Sequence, residues 1–135
     1  HEAREFLLKI IMEDRKKRTR RDRRGARRAA AGRSTVMTLE NGSLLIRIPE
    51  ELDHHSAAQI SARADQLIRE QDVREVVFDF SGTTFCDSSG IGMLMGRYKI
   101  MQALGGSVRA VKVQDRVERI LLLSGVMRVI PVERI

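Results

Sequence analysis

A short polar and glycine-containing segment carries the groups best suited to chemistry. Residues 85–92 read Phe-Cys-Asp-Ser-Ser-Gly-Ile-Gly, and they connect a predicted strand to the start of a predicted helix. The first backbone N–H groups of a helix lack intrahelical partners and together carry about half a positive charge, so an oxygen or a phosphate placed there is stabilised. Ser88 or Ser89 is therefore predicted to cap the helix at the least.

Spacing alone favours a purely structural capping role for these serines, and three functional alternatives stand beside it. A phosphate-cradling loop needs the pattern GxxxxGK[ST], but Lys99 lies too far into the helix. A serine nucleophile needs a histidine base, and His54 and His55 precede a different helix with no orienting motif. A regulatory phosphoserine would add about −1.5 to −2 charges beside Asp87, enough to repel an acidic or closely fitted partner.

The histidines and the cysteine give no sign of a metal or redox centre. His54 and His55 are adjacent, so their side chains point apart and make poor joint ligands. Cys86 is the one cysteine, which excludes an internal disulfide and a zinc-binding CxxC pair. It has no basic neighbour that would lower its pKa, so we expect it to be packed rather than reactive. We expect no cofactor, no metal and no catalysis.

The elements that position this segment follow from turn and strand signals. Asn41-Gly42 before the apolar run 44–48 predicts an opening hairpin, and the β-branched and aromatic run 75–80 predicts a buried strand. A further strand is predicted over 108–113 and a short extended piece over 129–132. The order β-β-α-β-α-β-α predicts an α/β fold with a mixed sheet and right-handed crossovers.

Three helices are predicted between these strands. Ser56 and Gln59 have capping-box spacing before the first helix, Gly105-Gly106 ends the second helix, which covers about 88–104, and Asp115 is expected to cap the third. The apolar faces predicted from helical spacing are Ala57, Ile60, Ala64, Leu67 and Ile68; Ile91, Leu94, Met95, Tyr98 and Met101; and Val117, Ile120, Leu121 and Leu123. Met93 is expected to fill the core or an interface. Arg97 and Lys99 are expected on the helix surface.

The positive charge belongs to one end of the chain. Residues 1–36 hold 13 of the 25 lysines and arginines and 5 of the 18 acids, which gives +8 there and −1 over residues 37–135. We expect a flexible basic arm over 1–36 and one folded domain over 37–135, with Met37 a candidate start of the natural product. No apolar run approaches the roughly 20 residues of a membrane span, and the patch before Met12 makes no convincing signal peptide. A cytoplasmic, non-membrane protein is expected.

Four short segments follow one another along residues 37–135: Glu-Leu-Asp-His-His at 51–55, Phe-Cys-Asp-Ser-Ser-Gly-Ile-Gly at 85–92, Gly-Arg-Tyr-Lys at 96–99 and Leu-Ser-Gly-Val at 123–126. Together they resemble STAS-domain anti-sigma factor antagonists, and in particular the anti-sigma F factor antagonists of endospore-forming bacteria. The loop at 87–90 is typical of STAS phospho-switches in general. The first and third segments are more specific to the sporulation members.

The resemblance implies a switch in which this chain catalyses nothing. The unmodified form would bind an anti-sigma factor and free its sigma factor. That anti-sigma factor would be an ATP-dependent serine kinase that phosphorylates Ser88, and a serine phosphatase would reverse the change. The resemblance also implies that Asp87 shapes the loop, that Ser89 caps the helix and that Gly90 and Gly92 keep the approach open.

The residues expected to form the loop and the partner surface are Asp87, Ser89, Gly90, Ile91, Gly92, Asp53, His54 and His55. Two other interpretations remain open. The chain could serve a general-stress partner-switching system instead. Alternatively, the arginine-rich arm could tether the domain to nucleic acid or another acidic surface through phosphate contacts, although the folded part has no excess positive charge for that purpose.

Overall fold

A computed structural model describes residues 35–135, and the elements below lie within that range. The strands are β1 (Met37–Glu40), β2 (Ser43–Arg47), β3 (Glu51–Leu52), β4 (Glu75–Asp79), β5 (Phe85–Cys86), β6 (Ser107–Val113) and β7 (Val132–Arg134). The helices are α1 (His54–Glu70), α2 (Ser88–Ala103) and α3 (Asp115–Ser124), followed by a 3-10 turn over Val126–Arg128. The predicted arm falls outside the described residues except for its last two positions, so its boundary and its nucleic-acid role stay predictions.

Five strands form one mixed sheet in the order β1-β2-β4-β6-β7. β1 and β2 run antiparallel, whereas β2–β4, β4–β6 and β6–β7 are parallel. The predicted α/β class and mixed sheet are therefore confirmed. β3 and β5 form a separate parallel pair, which was not predicted because two residues are too few to show an alternating pattern.

The predicted opening hairpin is confirmed at its turn. Asn41 and Gly42 have φ of 53° and 82°, the left-handed conformations that a two-residue hairpin of type I′ requires. In β2, Leu44 and Ile46 are fully buried, whereas Leu45 between them is 41% exposed. Strand alternation thus turns one face of β2 toward the core.

The helices cover the core, and only part of the predicted pattern holds. In α1 the buried apolar residues are Ala57, Ile60, Ala64 and Ile68, as predicted. In α2 the predicted face is correct in part: Leu94 and Met101 are buried, whereas Ile91, Met95 and Tyr98 are half-buried against the core. The remaining buried residues, which were not predicted on this face, are Gly90, Met93, Arg97 and Ile100. α2 is apolar around most of its circumference, so helical spacing could not select a face.

Smaller corrections concern the C-terminal part. Gln114, not Asp115, occupies the N-cap of α3, and it makes no side-chain capping bond. On α3, Val117 and Leu121 are buried as predicted, but the prediction of Leu123 was wrong, since its side chain is 80% exposed. The last strand begins at 132 rather than 129, because the backbone N–H groups of Val129 and Ile130 donate to the carbonyl of Val126 in the 3-10 turn. Within residues 35–135, no helix is both long and apolar enough to span a membrane.

Candidate functional site

Two helices begin side by side because the short strands before them are paired. In the β3–β5 pair, Leu52 lies opposite Cys86. Each strand is followed by an aspartate that is the N-cap of the next helix, Asp53 for α1 and Asp87 for α2. The backbone N–H of Asp87 donates to the carbonyl of Leu52 over 3.1 Å. The positive ends of two helix dipoles therefore meet at one edge of the molecule.

Asp87 caps α2 with its own carboxylate. Its Oδ1 accepts hydrogen bonds from the backbone N–H of Ser89 at 2.8 Å and of Gly90 at 3.1 Å. The prediction that Ser88 or Ser89 would cap the helix is therefore wrong, because both serines lie inside the first turn and one aspartate oxygen satisfies two N–H groups. Ser88 is exposed, and the structure shows no hydrogen bond from its hydroxyl to any residue between 35 and 135.

The N-terminus of α1 is capped by two reciprocal hydrogen bonds between Asp53 and Ser56. Asp53 Oδ1 accepts from the backbone N–H of Ser56 at 3.0 Å, and Ser56 Oγ accepts from the backbone N–H of Asp53 at 2.9 Å. Ser56 is thus the third helical residue rather than the predicted cap, since the capping box begins three residues earlier. The hydrogen bond from the Ser56 backbone is the largest influence on the pKa of Asp53, which is lowered.

The two helix starts meet through a histidine and a serine. His54 Nδ1 lies 3.3 Å from Ser89 Oγ, between residues 35 positions apart in the chain. His54 and His55 are both exposed, and their ring centroids are 5.9 Å apart. In the described part of the chain, no three His, Cys, Asp or Glu side chains are grouped to hold a metal ion. The structure therefore brings the starts of the two helices into one site, with Asp53 and His54 from α1 beside Asp87, Ser88 and Ser89 from α2.

The two glycines of the segment have different roles. Gly90 is buried, and a Cβ there would lie 2.7 Å from Leu52 Cγ and 2.8 Å from Cys86 Sγ. Its missing side chain is required by internal packing, so the expectation that it keeps the partner's approach open is wrong. Gly92 is exposed and a Cβ there would meet nothing within 4 Å, which fits an open approach. Ile91 between them is half-buried.

Cys86 lies beneath the site as a packed thiol. It is 3% exposed. Burial, and to a lesser extent the charge of Asp87, raises the pKa of this thiol to about 11. The thiolate, the reactive form of cysteine, is therefore scarce at neutral pH, in agreement with the prediction of a packed, unreactive cysteine.

The sequence analysis assigned no role to Phe85, and its prediction for Arg97 was wrong. Phe85 immediately precedes the buried Cys86 and leaves 46% of its surface exposed. Arg97, expected on the surface of α2, is fully buried and forms an ion pair with Asp65 of α1. A signal for this pair was present, because each residue falls on the buried face of its helix, Asp65 after Ala64 and Arg97 between Leu94 and Ile100.

Comparison with known proteins agrees with this architecture. Residues 34–134 match the STAS domain family, and the chain belongs to this family. Within it, the chain is 32% identical over 96 residues to the anti-sigma F factor antagonist of Paenibacillus polymyxa, covering 71% of this chain and 82% of that one. It is 30% identical over 83 residues to the anti-sigma F factor antagonist of Lysinibacillus sphaericus, covering 62% and 71% respectively. The predicted family resemblance is thereby confirmed.

Solved structures show the same relationship. The anti-sigma factor antagonist SpoIIAA in its unphosphorylated form matches with a TM-score of 0.67 at 26% identity, over 73% of this chain and 87% of that one. SpoIIAA of Bacillus in its phosphorylated form matches with a TM-score of 0.61 at 25% identity, over 73% and 90%. The fold of this chain is therefore similar to structures of both phosphorylation states.

Proposed function

We propose that this chain is an anti-sigma factor antagonist controlled by phosphorylation of Ser88. The unphosphorylated chain binds an anti-sigma factor, and the phosphate weakens that binding. The relatives at 30–32% identity, both anti-sigma F factor antagonists, support the class of partner. The chain acts in this proposal as a regulatory binding protein rather than an enzyme. Because bacterial transcription takes place in the cytoplasm, the proposal places the chain there.

The observation that carries the proposal is the accessibility of the Ser88 hydroxyl. Ser88 is the first residue of α2, it is exposed, and Asp87 has taken over the capping of the helix. The hydroxyl is therefore available to a kinase without any loss of helix capping. Ser89 differs, because it is half-buried and its Oγ lies 3.3 Å from His54 Nδ1. This difference favours Ser88 over Ser89 as the modified residue.

A phosphate on Ser88 would alter the surface without unfolding the helix. At a helix N-terminus a negative charge is stabilised, so α2 should survive the modification. The surface beside Asp87, however, gains about −1.5 to −2 charges. Two like unit charges 4 Å apart near a protein surface repel by about 4 kcal/mol at an effective dielectric constant of about 20. A partner carboxylate at that distance would therefore be expelled.

The proposed partner surface surrounds this serine. His54 and His55 at the start of α1 are exposed, and Gly92 adds an open position on α2. Phe85 adds apolar area, and aromatic side chains are enriched among residues that dominate binding energy. A mixture of one exposed aromatic side chain with polar groups is a common composition for a regulated interface.

The finer assignment follows the sporulation relatives. We propose that the anti-sigma factor is itself an ATP-dependent serine kinase, that a serine phosphatase restores the active form and that the released sigma factor is the sporulation one. The similarity to SpoIIAA in its unphosphorylated and phosphorylated forms supports a switch of this kind. The Leu-Asp-His-His segment, which resembles the sporulation members, and the two anti-sigma F factor antagonists among the relatives support the sporulation assignment over a general-stress system.

The test incubates the full chain with the candidate anti-sigma kinase and ATP and locates the phosphate by mass spectrometry. Wild type should be labelled on Ser88. Ser88→Ala should abolish labelling and retain partner binding, whereas Ser88→Asp should weaken binding, because even a single carboxylate adds charge at this position. Ser89→Ala is the matched control and should still be labelled. Persistent labelling of Ser88→Ala would remove Ser88 from the mechanism.

A further inference from the structure

A fully buried polar contact connects α1 and α2 below the proposed partner surface. Arg97 of α2 is 0% exposed and Asp65 of α1 is 6% exposed. Arg97 Nε lies 3.0 Å from Asp65 Oδ1, and Arg97 Nη1 donates a hydrogen bond to Ser61 Oγ. Ser61 and Asp65 are four residues apart, so they lie on the same face of α1. One side chain of α2 therefore contacts two successive turns of α1.

Stability alone is a poor explanation for burying these charges. A well-packed apolar pair of similar volume is often as stable as a buried ion pair, or more stable. The guanidinium of Arg97 is also incompletely satisfied, since within residues 35–135 neither its Nε nor its Nη2 donates a hydrogen bond, and the approach of Nε to Asp65 is an ion pair only. Buried charged contacts are best attested as devices that select one alignment of packed helices over others.

The other buried residues of these helices are mostly apolar. α1 buries Ala57, Ile60 and Ala64, and α2 buries Gly90 and Leu94. Apolar burial is non-directional, so these residues hold the helices together without a hydrogen bond between them that would fix their orientation. Arg97 adds a charged contact with Asp65 and a hydrogen bond to Ser61, and the hydrogen bond depends on the orientation of the two helices as well as on their distance.

The contact lies close enough to the start of both helices to influence how their N-termini are placed. Ser61 follows His54 by seven residues and Arg97 follows Ser88 by nine, which places the contact about 10 and 13 Å along the two helices at 1.5 Å per residue. A shift or rotation there is transmitted by the helices to their N-termini. The contact of His54 Nδ1 with Ser89 Oγ at 3.3 Å reports on that alignment.

We propose that the buried contact of Arg97 with Asp65 and Ser61 is a positioning device, which holds α1 and α2 in the alignment that presents His54 and Ser88 as one surface. The consequence for partner binding rests on the proposed function. The predicted effect on the distance between the N-termini of α1 and α2 is independent of the proposed function. Arg97 touches neither the partner nor the modified hydroxyl in this proposal, and it acts only through the two helices.

The test replaces the ion pair with apolar side chains in the double variant Asp65→Leu/Arg97→Met of the full chain. Thermal unfolding should occur at the wild-type temperature or above it, because no buried charge is left unpaired. The nuclear Overhauser effect between the His54 ring and the Ser89 side chain should be lost. The dissociation constant for the anti-sigma factor should rise about tenfold if the aligned state falls to about a tenth of the population.

An exposed ion pair provides the control. Asp115 of α3 and Arg134 of β7 lie 2.6 Å apart and are 88% and 60% exposed. The same chemical change, Asp115→Leu/Arg134→Met, should leave both the Overhauser effect and the dissociation constant at wild-type values. A double variant at Asp65 and Arg97 that also keeps both values would overturn the positioning role.

A second variant tests the same proposal if the double variant does not fold. Arg97→Lys keeps a positive charge opposite Asp65 but removes the planar fork. It should weaken both the Overhauser effect and partner binding, and wild-type values of both would again overturn the proposal. If wild type binds no anti-sigma kinase, the proposed function fails, but the Overhauser comparison still decides the role of Arg97.

Discussion

Substituting alanine for each glycine of the Gly-Ile-Gly segment should shift stability in opposite directions. Gly90→Ala places a methyl group 2.7 Å from Leu52 Cγ and 2.8 Å from Cys86 Sγ, whereas the methyl group of Gly92→Ala meets nothing within 4 Å. Carbon atoms in favourable contact lie about 3.5–4.0 Å apart. The first turn of α2 or the Leu52 side chain must therefore move by about 1 Å in the first variant only.

The magnitude follows from two opposing contributions. Replacing glycine by alanine inside a helix stabilises a protein by about 0.5–1 kcal/mol, and this contribution applies to both positions. Overpacking a well-filled core costs about 1–3 kcal/mol, and this cost applies to Gly90 alone, since Leu52 is 0% and Cys86 is 3% exposed. The two variants should thus differ by about 1–3 kcal/mol in their free energy of unfolding.

Urea denaturation of the two variants and wild type is the appropriate assay, with equal m-values required for the comparison. Gly92→Ala should be more stable than wild type, and Gly90→Ala less stable. The difference between the variants isolates the steric contribution, because the chemical change and the helix are the same. Equal stability of the two variants would refute the assignment of Gly90 to internal packing.

Three further predictions concern buried or capping groups. Arg97→Met, made alone, removes the guanidinium opposite the buried Asp65 and should cost about 3–5 kcal/mol in chemical denaturation; a change near zero would show that the pair is not ionic in solution. Asp53→Ala should cost about 1 kcal/mol at neutral pH through loss of the α1 cap. Since the pKa of Asp53 is lowered from 3.8, the stability from its ionised form is present above pH 3.8 and is lost as pH falls through the depressed value; the cost of Asp53→Asn should shrink in parallel. The Cys86 thiol, with its pKa raised from 9.0 to about 11, should react with a thiol reagent only after unfolding, and its contribution to stability should be lost as pH rises between those two values. Rapid labelling of the native protein at neutral pH would contradict its burial.

Local residue chemistry was sufficient for most of the architecture. The Asn41-Gly42 turn, the buried run that became β4 and the glycine stop after α2 each depend on neighbours within a few residues. Turn geometry, β-branching and helix termination are short-range effects, so a sequence displays them directly. The family resemblance rested on similarly short segments, and the match to the STAS domain confirmed it.

The candidate site was only partly predictable. Asp87, Ser88 and Ser89 are adjacent in the sequence, and their place at a helix start follows from local signals. Which of them caps the helix did not follow, because aspartate and serine are equally good N-caps and a difference of one residue in the helix start decides between them. The structure assigns the cap to Asp87, and the exposed hydroxyl of Ser88 is a consequence.

Only the tertiary structure decided the contacts between distant segments. The approach of His54 to Ser89 depends on the pairing of β3 with β5, two strands too short to be recognised in a sequence. The burial of Arg97 depends on Asp65, which lies opposite it on α1. A charged side chain is buried at acceptable cost only when an opposite charge is close to it. Sequence patterns report what one segment prefers, whereas burial and charge pairing are properties of two segments together. The sequence therefore predicted Ser88 as the candidate residue, and the pairing of distant segments determined which side chains surround it.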